Sequence, residues 1–351
     1  MQIKSILGLP FDVLKDEFVE KGFSVLDAKR VYPWIHSKLA QTFEEMSDVP
    51  KQVRERLPDF FSLARPICKI LQESSDGTSK ALLEFEDGNC VETVFILDEK
   101  RNTICVSSQV GCPIGCRFCN TGTQQFCRNL TSSEIMAQII FWMERQKKLN
   151  AAPITNIVFM GMGEPLLNSQ NLFAVLEILL NAKTYNFSRN KITVSTSGIV
   201  DNSIMELAKF GVKLAVSLHA PNDKKRSELM PINNKYKISD VLDAARNYHK
   251  TSNTSHVTFE YLLLDGINDS DDDAIELSKL FRKFGAHARV NLIMFNSWNG
   301  SKFVGVSNEK ANHFSKILLA RGIRTIIRKS RGRDIFAACG QLKSEDKMTS
   351  E

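Results

Sequence analysis

From about residue 103 onward, short apolar runs rich in β-branched residues alternate with longer stretches whose apolar positions recur every three or four residues. The runs at 103–107, 155–160, 192–196, 213–218, 256–264 and 289–295 predict strands. The intervening periodicity predicts helices at 171–182, 202–210, 239–250 and 272–284, and another opens at Thr131-Ser132-Ser133-Glu134, a capping-box pattern. A last helix near 307–321 and a strand at 323–328 complete the series. The alternation predicts an α/β fold, a parallel sheet of six βα units curved into a barrel or open partial barrel. In that architecture chemistry sits at the C-terminal ends of the strands. The polar clusters fall there: a cysteine loop after the first strand, Gly161-Met162-Gly163-Glu164-Pro165 after the second, Ser195-Thr196-Ser197-Gly198 at the third, Ser217-Leu218-His219 at the fourth and Asn296 after the sixth.

Upstream the pattern differs. Leu14, Phe18, Val19 and Phe23, then Val31, Ile35 and Leu39, lie near helical spacing, with Pro50 and Pro58 punctuating the end. Residues 79–97 shift to a period near two around an Asp87-Gly88 turn, a predicted β-hairpin carrying Glu92. The expected organisation is a helical accessory domain at 1–70, a β-hairpin extension at 71–100, a barrel domain at 101–342 and a disordered tail at 343–351.

Composition narrows the function classes. The chain has 351 residues, is 43% hydrophobic and 25% charged, and has no apolar run long enough to span a bilayer. Asp12, Lys15, Asp16 and Glu17 follow the first apolar residues too closely for a signal peptide, so a cytoplasmic location and no membrane partner are expected. In that compartment eight cysteines are read as ligands, nucleophiles or core residues before disulfides. The net charge of +6 is modest, but Arg321, Arg324, Arg328, Lys329, Arg331 and Arg333 crowd one segment before Cys339. Such a cluster is either a solvated face or a surface that tracks phosphates.

Cys112, Cys116 and Cys119 form a C-x3-C-x2-C loop with Gly111 and Gly115 interleaved. Three thiols fall one short of the four ligands of a structural zinc site, and no distant Cys or His pair of the usual spacing completes them. An iron–sulfur cubane held by three cysteines keeps one iron open for a substrate.

With Gly-Glu-Pro after the second strand, this loop resembles the radical S-adenosylmethionine (SAM) superfamily. Val91-Glu92-Thr93-Val94, Cys105 to Cys112, Gly161 to Leu166, Ser217-Leu218-His219-Ala220-Pro221-Asn222 and Ala337-Ala338-Cys339-Gly340-Gln341-Leu342 resemble the RlmN family of adenine C2-methyltransferases acting on 23S rRNA and tRNA. The resemblance runs from about 80 to 342, with residues 1–70 alike only in type. It implies one 4Fe-4S cluster on Cys112, Cys116 and Cys119. It implies SAM held by Gly163, Glu164, Ser195, Ser217, Leu218, His219 and Asn296, with two SAM used per turnover. Cys339 would carry the methyl group, Glu92 would remove the C2 proton, and Cys105 would resolve the RNA adduct through a transient disulfide with Cys339. Arg328, Lys329 and Arg331 would hold the RNA backbone. An electron-donor protein and a monomeric state are further expectations.

Cys68, Cys90 and Cys127 match no family position and are read as ordinary residues. The Cfr-type C8-methyltransferases share nearly all these motifs but usually carry Gly-Glu-Ala where this chain has Gly163-Glu164-Pro165, which favours C2 over C8. A metal-stabilised RNA-binding module and a radical SAM enzyme for a small metabolite are the readings from other classes.

Overall fold

The computed structural model describes residues 3–99, 101–285 and 287–344. The N-terminal part contains β1 (Lys4–Ser5), α1 (Phe11–Glu20), α2 (Val25–Pro33), α3 (Lys51–Arg56) and β2 (Phe61–Ser62), with β1 and β2 paired in parallel. Ser24 and Asp27 form a reciprocal capping box that starts α2. Leu14, Phe18, Val31 and Ile35, picked out by their spacing, are fully buried, and Phe18 stacks on Phe61.

Next come β3 (Ile67–Glu73), β4 (Ser79–Glu84), β5 (Cys90–Asp98) and β6 (Arg101–Cys105). The hairpin expected at 79–97 is β4 and β5, with Leu82 opposite Glu92. β3 was not expected: it is exposed along its whole length, so no face of it alternates between apolar and polar. Two short strands follow, β7 (Gln109–Val110) and β8 (Arg128–Asn129), then α4 (Ser132–Lys148) behind its Thr131/Glu134 capping box.

The remaining chain alternates as the periodicity predicts: β9 (Asn156–Phe159), α5 (Ser169–Leu180), β10 (Ile192–Thr196), α6 (Asn202–Phe210), β11 (Lys213–Ser217), α7 (Asp223–Leu229), α8 (Ile238–Ser252), β12 (Val257–Leu263), α9 (Asp271–Phe284), β13 (Ala288–Met294), α10 (Asn308–Ala320) and β14 (Arg324–Arg328). Only α7 lacked a sequence counterpart, because Asp223-Lys224-Lys225-Arg226 reads as a solvated charged stretch.

One ten-stranded sheet runs β14-β13-β12-β11-β10-β9-β6-β5-β4-β3. Its strands are parallel from β14 to β6 and antiparallel from β6 to β3. The order leaves β14 and β3 as edges, an open barrel wall extended sideways by the hairpin. One face of the parallel part is apolar: Ile157, Phe159, Val194, Val216, Phe259 and Val290 share it and are all buried, while Ser195, Ser217 and Glu260 alternate with them and face the cavity. No helix among the described residues is long and apolar enough to cross a membrane.

Candidate active site

The C-terminal ends of the parallel strands surround a cavity of about 960 Å³, part of it open to solvent. Its wall includes Cys112, Cys116 and Cys119 on one side and Gly163, Glu164, Ser195, Ser217, His219, Arg328 and Cys339 around the rest. Residues from six separate stretches of chain thus meet in one place.

The β7–β8 ribbon presents the cysteine loop by pairing Gln109 with Asn129 and Val110 with Arg128 at its base. Arg128 ties that base down through Asp87 at 2.6 Å and Glu134 at 2.7 Å. Gly111 has φ +73°, and a Cβ there would stand 2.3 Å from the Gln125 carbonyl oxygen, so the ribbon closes only on glycine. Burial pushes the Cys112 thiol up to about 12 and that of Cys116 well up too; the neighbouring loop thiols reinforce both shifts. Three such thiols become thiolates readily only when a strongly positive centre shares their cavity. Among the described residues no three His, Cys, Asp or Glu groups converge on a single metal ion. Thiols spaced along a cavity wall suit a polynuclear cluster, whose irons each take one ligand.

Gly163 has φ +95°, and its missing side chain lets the loop press on Gln109, where a Cβ would come within 2.5 Å of another Cβ. Gln109 in turn accepts from the Glu164 amide at 2.8 Å. The Glu164 carboxylate is buried and accepts from the Ser197 amide at 2.6 Å and the Leu166 amide at 3.1 Å. Burial raises its pKa and these hydrogen bonds oppose the rise. His219 sits in the left-handed region at φ 56°, a strained position for a residue with a side chain. Its Nδ1 accepts from the Leu262 amide at 3.0 Å, and burial lowers its pKa to about 3, so the ring is neutral with its proton on Nε2. Leu218 contributes backbone rather than side chain: its amide donates to the Glu260 carbonyl at 3.0 Å.

Cys339 is held over this mouth by a strap. Asn120 donates from its amide to the Gly340 carbonyl at 2.7 Å and from Nδ2 to the Gln341 carbonyl at 3.0 Å, while Thr121 Oγ1 donates to the Leu342 carbonyl at 2.6 Å. Asn296 Nδ2 reaches the Cys339 carbonyl at 3.4 Å. Glu92 lies under the same strap. It is buried, ion-paired to Lys80 at 2.8 Å, and accepts from the Lys343 amide at 2.9 Å. Burial raises its pKa against the pull of Lys80. The tail expected from 343 is therefore hydrogen-bonded at Lys343 and Ser344; residues 345–351 lie outside the described residues. Cys105, at the end of β6, is buried, its thiol pushed up to about 12 by burial and by the Cys339 thiol, with Arg328 opposing.

The basic residues separate. Lys329 is exposed, Arg331 is half-buried and paired with Asp98 at 3.5 Å, and Arg328 turns inward to line the cavity. Cys68, Cys90 and Cys127 lie outside the cavity wall.

Two site residues escaped sequence reading. Arg226 on α7 is fully buried and donates to the Ser197 carbonyl at 2.6 Å, the Ser217 carbonyl at 3.1 Å and the Leu218 carbonyl at 3.2 Å, knitting the ends of β10 and β11. Glu260 lines the cavity from β12. Its polar character inside an otherwise apolar strand was the available signal. Of the eight buried side-chain atoms without a hydrogen-bond partner among the described residues, three lie at this site: Ser197 Oγ, Glu260 Oε2 and Asn296 Oδ1. The first two belong to residues of the cavity wall and the third to a residue that contacts Cys339, so a polar ligand with donors and acceptors suits the space.

Residues 106–278 match the radical SAM superfamily, and residues 4–63 match the ribosomal RNA large subunit methyltransferase N-terminal domain. Over 344 residues, 97% of this chain and 93% of the relative, the sequence is 42% identical to the dual-specificity RNA methyltransferase RlmN of Francisella tularensis subsp. tularensis (strain WY96-3418). The chain belongs to the RlmN family. The RlmN protein of Francisella tularensis subsp. novicida (strain U112) is equally similar, at 42% over the same coverage. Among solved structures, a radical SAM methyltransferase from Sphaerobacter thermophilus superposes with a TM-score of 0.92 at 41% identity, covering 97% of this chain and all of that one. As an RlmN-family member with a radical SAM domain, the chain has a fold whose cofactors are SAM and a 4Fe-4S cluster. The three-thiol loop and the unpartnered polar atoms fit both.

Proposed function

We propose that this protein methylates C2 of adenine in 23S rRNA, in the peptidyl-transferase region, and in the anticodon loop of tRNA. What carries the reading is the meeting, at one cavity, of the three-thiol loop with Cys339, with Cys105 and Arg328 beside it and Glu92 under the strap that bears Cys339. A cluster alone would need only the loop. The Francisella relatives are dual-specificity RNA methyltransferases, which supports more than one RNA target here.

In this reading Cys112, Cys116 and Cys119 hold the cluster, and Gly163, Glu164, Ser195, Ser217, Leu218, His219 and Asn296 orient SAM. When bound, these cofactors supply the methyl group and a one-electron route to a hydrogen-atom acceptor. The chain's own residues do the rest. Cys339 sulfur takes the methyl group of one SAM and loses its proton. A second SAM, cleaved by one electron, would supply the acceptor for one hydrogen atom of that methyl group, leaving a carbon-centred methylene on the Cys339 sulfur that would bond to C2. Glu92 would take the C2 proton as the adduct, losing one electron, returns to aromaticity. Cys105 then attacks the Cys339 sulfur. The carbon–sulfur electron pair leaves with the methylene carbon, which takes a proton and becomes the methyl group. A Cys105–Cys339 disulfide remains for reduction by an electron-donor protein. Exposed Lys329, with Arg321, Arg324 and Arg333, forms the surface for RNA phosphates, and the target adenine enters turned out of its stack.

The test is anaerobic turnover of the reconstituted protein with SAM, reductant and an rRNA fragment, followed by nucleoside chromatography and mass spectrometry. C2-methyladenosine is expected. C8-methyladenosine would move the protein to the Cfr-type reaction, and no methylated nucleoside would overturn the reading.

A further inference from the structure

Arg328 does not behave as a surface cation. It ends β14 opposite Ile293 of β13, and its side chain forms part of the cavity wall with Cys339, Glu260 and Met160. The hydrogen bond that its guanidinium makes among the described residues is a long one, from Nη1 to Met160 Sδ at 3.8 Å. Arginine presents five N–H donors in a rigid fork, so most of that fork is directed at the cavity. The neighbouring opposite charge is the Glu260 carboxylate. Its Oε1 accepts from Asn291 Nδ2 at 3.0 Å and its Oε2 has no partner among the described residues. Cys339, Glu260 and Cys105 are the groups that hold the guanidinium charged, Cys339 foremost.

The covalent adduct of the proposed function fixes where the base must lie. One methylene joins Cys339 sulfur to C2, so the two ring nitrogens flanking C2 come within about 4 Å of that sulfur by ordinary bond geometry. A guanidinium that shares the cavity wall with that sulfur is placed to meet one of them. Addition at C2 pushes electron density onto N1 and N3, where a fixed N–H donor in a water-poor cavity stabilises it.

We propose that Arg328 is a catalytic residue that donates a hydrogen bond to a ring nitrogen beside C2 of the target adenine. The proposal rests on the adenine-methylation reading above. It assigns Arg328 to the base and removes it from the phosphate-binding set.

The experiment compares wild type, Arg328→Lys and Arg328→Gln on RNA carrying adenosine, 1-deazaadenosine or 3-deazaadenosine at the target position. Three quantities are read: methyl gain on the Cys339 peptide, the rate of RNA methylation, and the salt dependence of RNA affinity. With adenosine, R328Q should methylate RNA at least about 100-fold more slowly, the loss typical of removing one such donor, with R328K between the two. The Cys339 peptide should gain its methyl group to the wild-type extent, and the salt slope should be unchanged. One deaza analogue should slow the wild type while leaving R328Q no slower than it already is. Equal slowing of wild type and R328Q by both analogues would overturn the proposal. So would loss of Cys339 methylation in R328Q, which would place the guanidinium on the thiol, or a flatter salt slope, which would place it on phosphate. Failure of the parent reading is distinct: there the wild type itself would make no methyladenine.

Discussion

Lys80→Met is the sharpest probe of how Glu92 is set for its proposed role. The pair is buried on both sides, with side-chain exposures of 10% and 9%, and the ammonium stands 2.8 Å from the carboxylate. At that distance and an effective dielectric of about 20, Coulomb's law gives roughly 6 kcal/mol. Returning the ammonium to water offsets part of this, leaving about 3 kcal/mol, the lower end for breaking a buried pair. Losing the ammonium therefore moves the Glu92 pKa further up. Burial already raises this carboxyl, so the sign is fixed: the wild-type carboxylate opposes folding above its folded-state pKa, and below the ordinary carboxylate range that penalty is absent. Removing Lys80 widens the window of penalty toward higher pH. The alkaline-going limb of RNA release from the adduct should shift to higher pH in single-turnover reactions. At neutral pH the covalent protein–RNA species should accumulate on denaturing gels, and stability near pH 8 should fall by about 3 kcal/mol in urea titrations. An unshifted pH limb with the stability loss intact would refute Glu92 as the base while leaving the ion pair structural.

Three further outcomes follow. Cys339→Ala should retain iron and sulfide at the wild-type level but form no methylated RNA, and Cys105→Ala should trap the covalent adduct; free methyladenine from either protein would contradict the thiol roles. Replacing Arg321, Arg324 and Lys329 by Gln should weaken RNA binding and reduce its salt slope by about 2, at roughly 0.7 per phosphate contact on single strands, read by filter binding across salt. Asn168→Ala removes the Nδ2 bonds to the Ser108 carbonyl at 2.8 Å and the Leu130 carbonyl at 2.7 Å. The Ser108 carbonyl keeps the Leu130 amide at 3.1 Å, but the Leu130 carbonyl loses its side-chain partner, which should lower stability by about 1–3 kcal/mol and Tm by a few degrees, measured calorimetrically.

The parts of the fold that read clearly from sequence are those where short β-branched runs alternate with amphipathic helices. The runs that become β9 to β13 each bury one apolar face, and the helices between them repeat at a different period, so the two element types separate cleanly. The cysteine loop read clearly because ligand spacing is local chemistry. β3 was hidden because an exposed edge strand imposes no alternation. Arg226 and Arg328 were hidden for a different reason: a charge beside other charges in sequence looks solvated, and only the tertiary turn of α7 and the end of β14 sends each inward. Glu92 was legible only through the family resemblance, because what covers it is the C-terminal segment, a contact 251 residues distant along the chain.

That covering segment has a bearing on how the protein comes into being. Asn120 and Thr121 reach partners 221 residues later, and Glu92 waits for Lys343. Contacts so remote in sequence form late, after the local strand and helix pairings that they close. During synthesis the barrel wall and the three thiols can be in place while the strap is still inside the ribosome. The catalytic mouth is then the last joint of the molecule to be sealed, by residues that could themselves become part of the reaction only once everything else has folded.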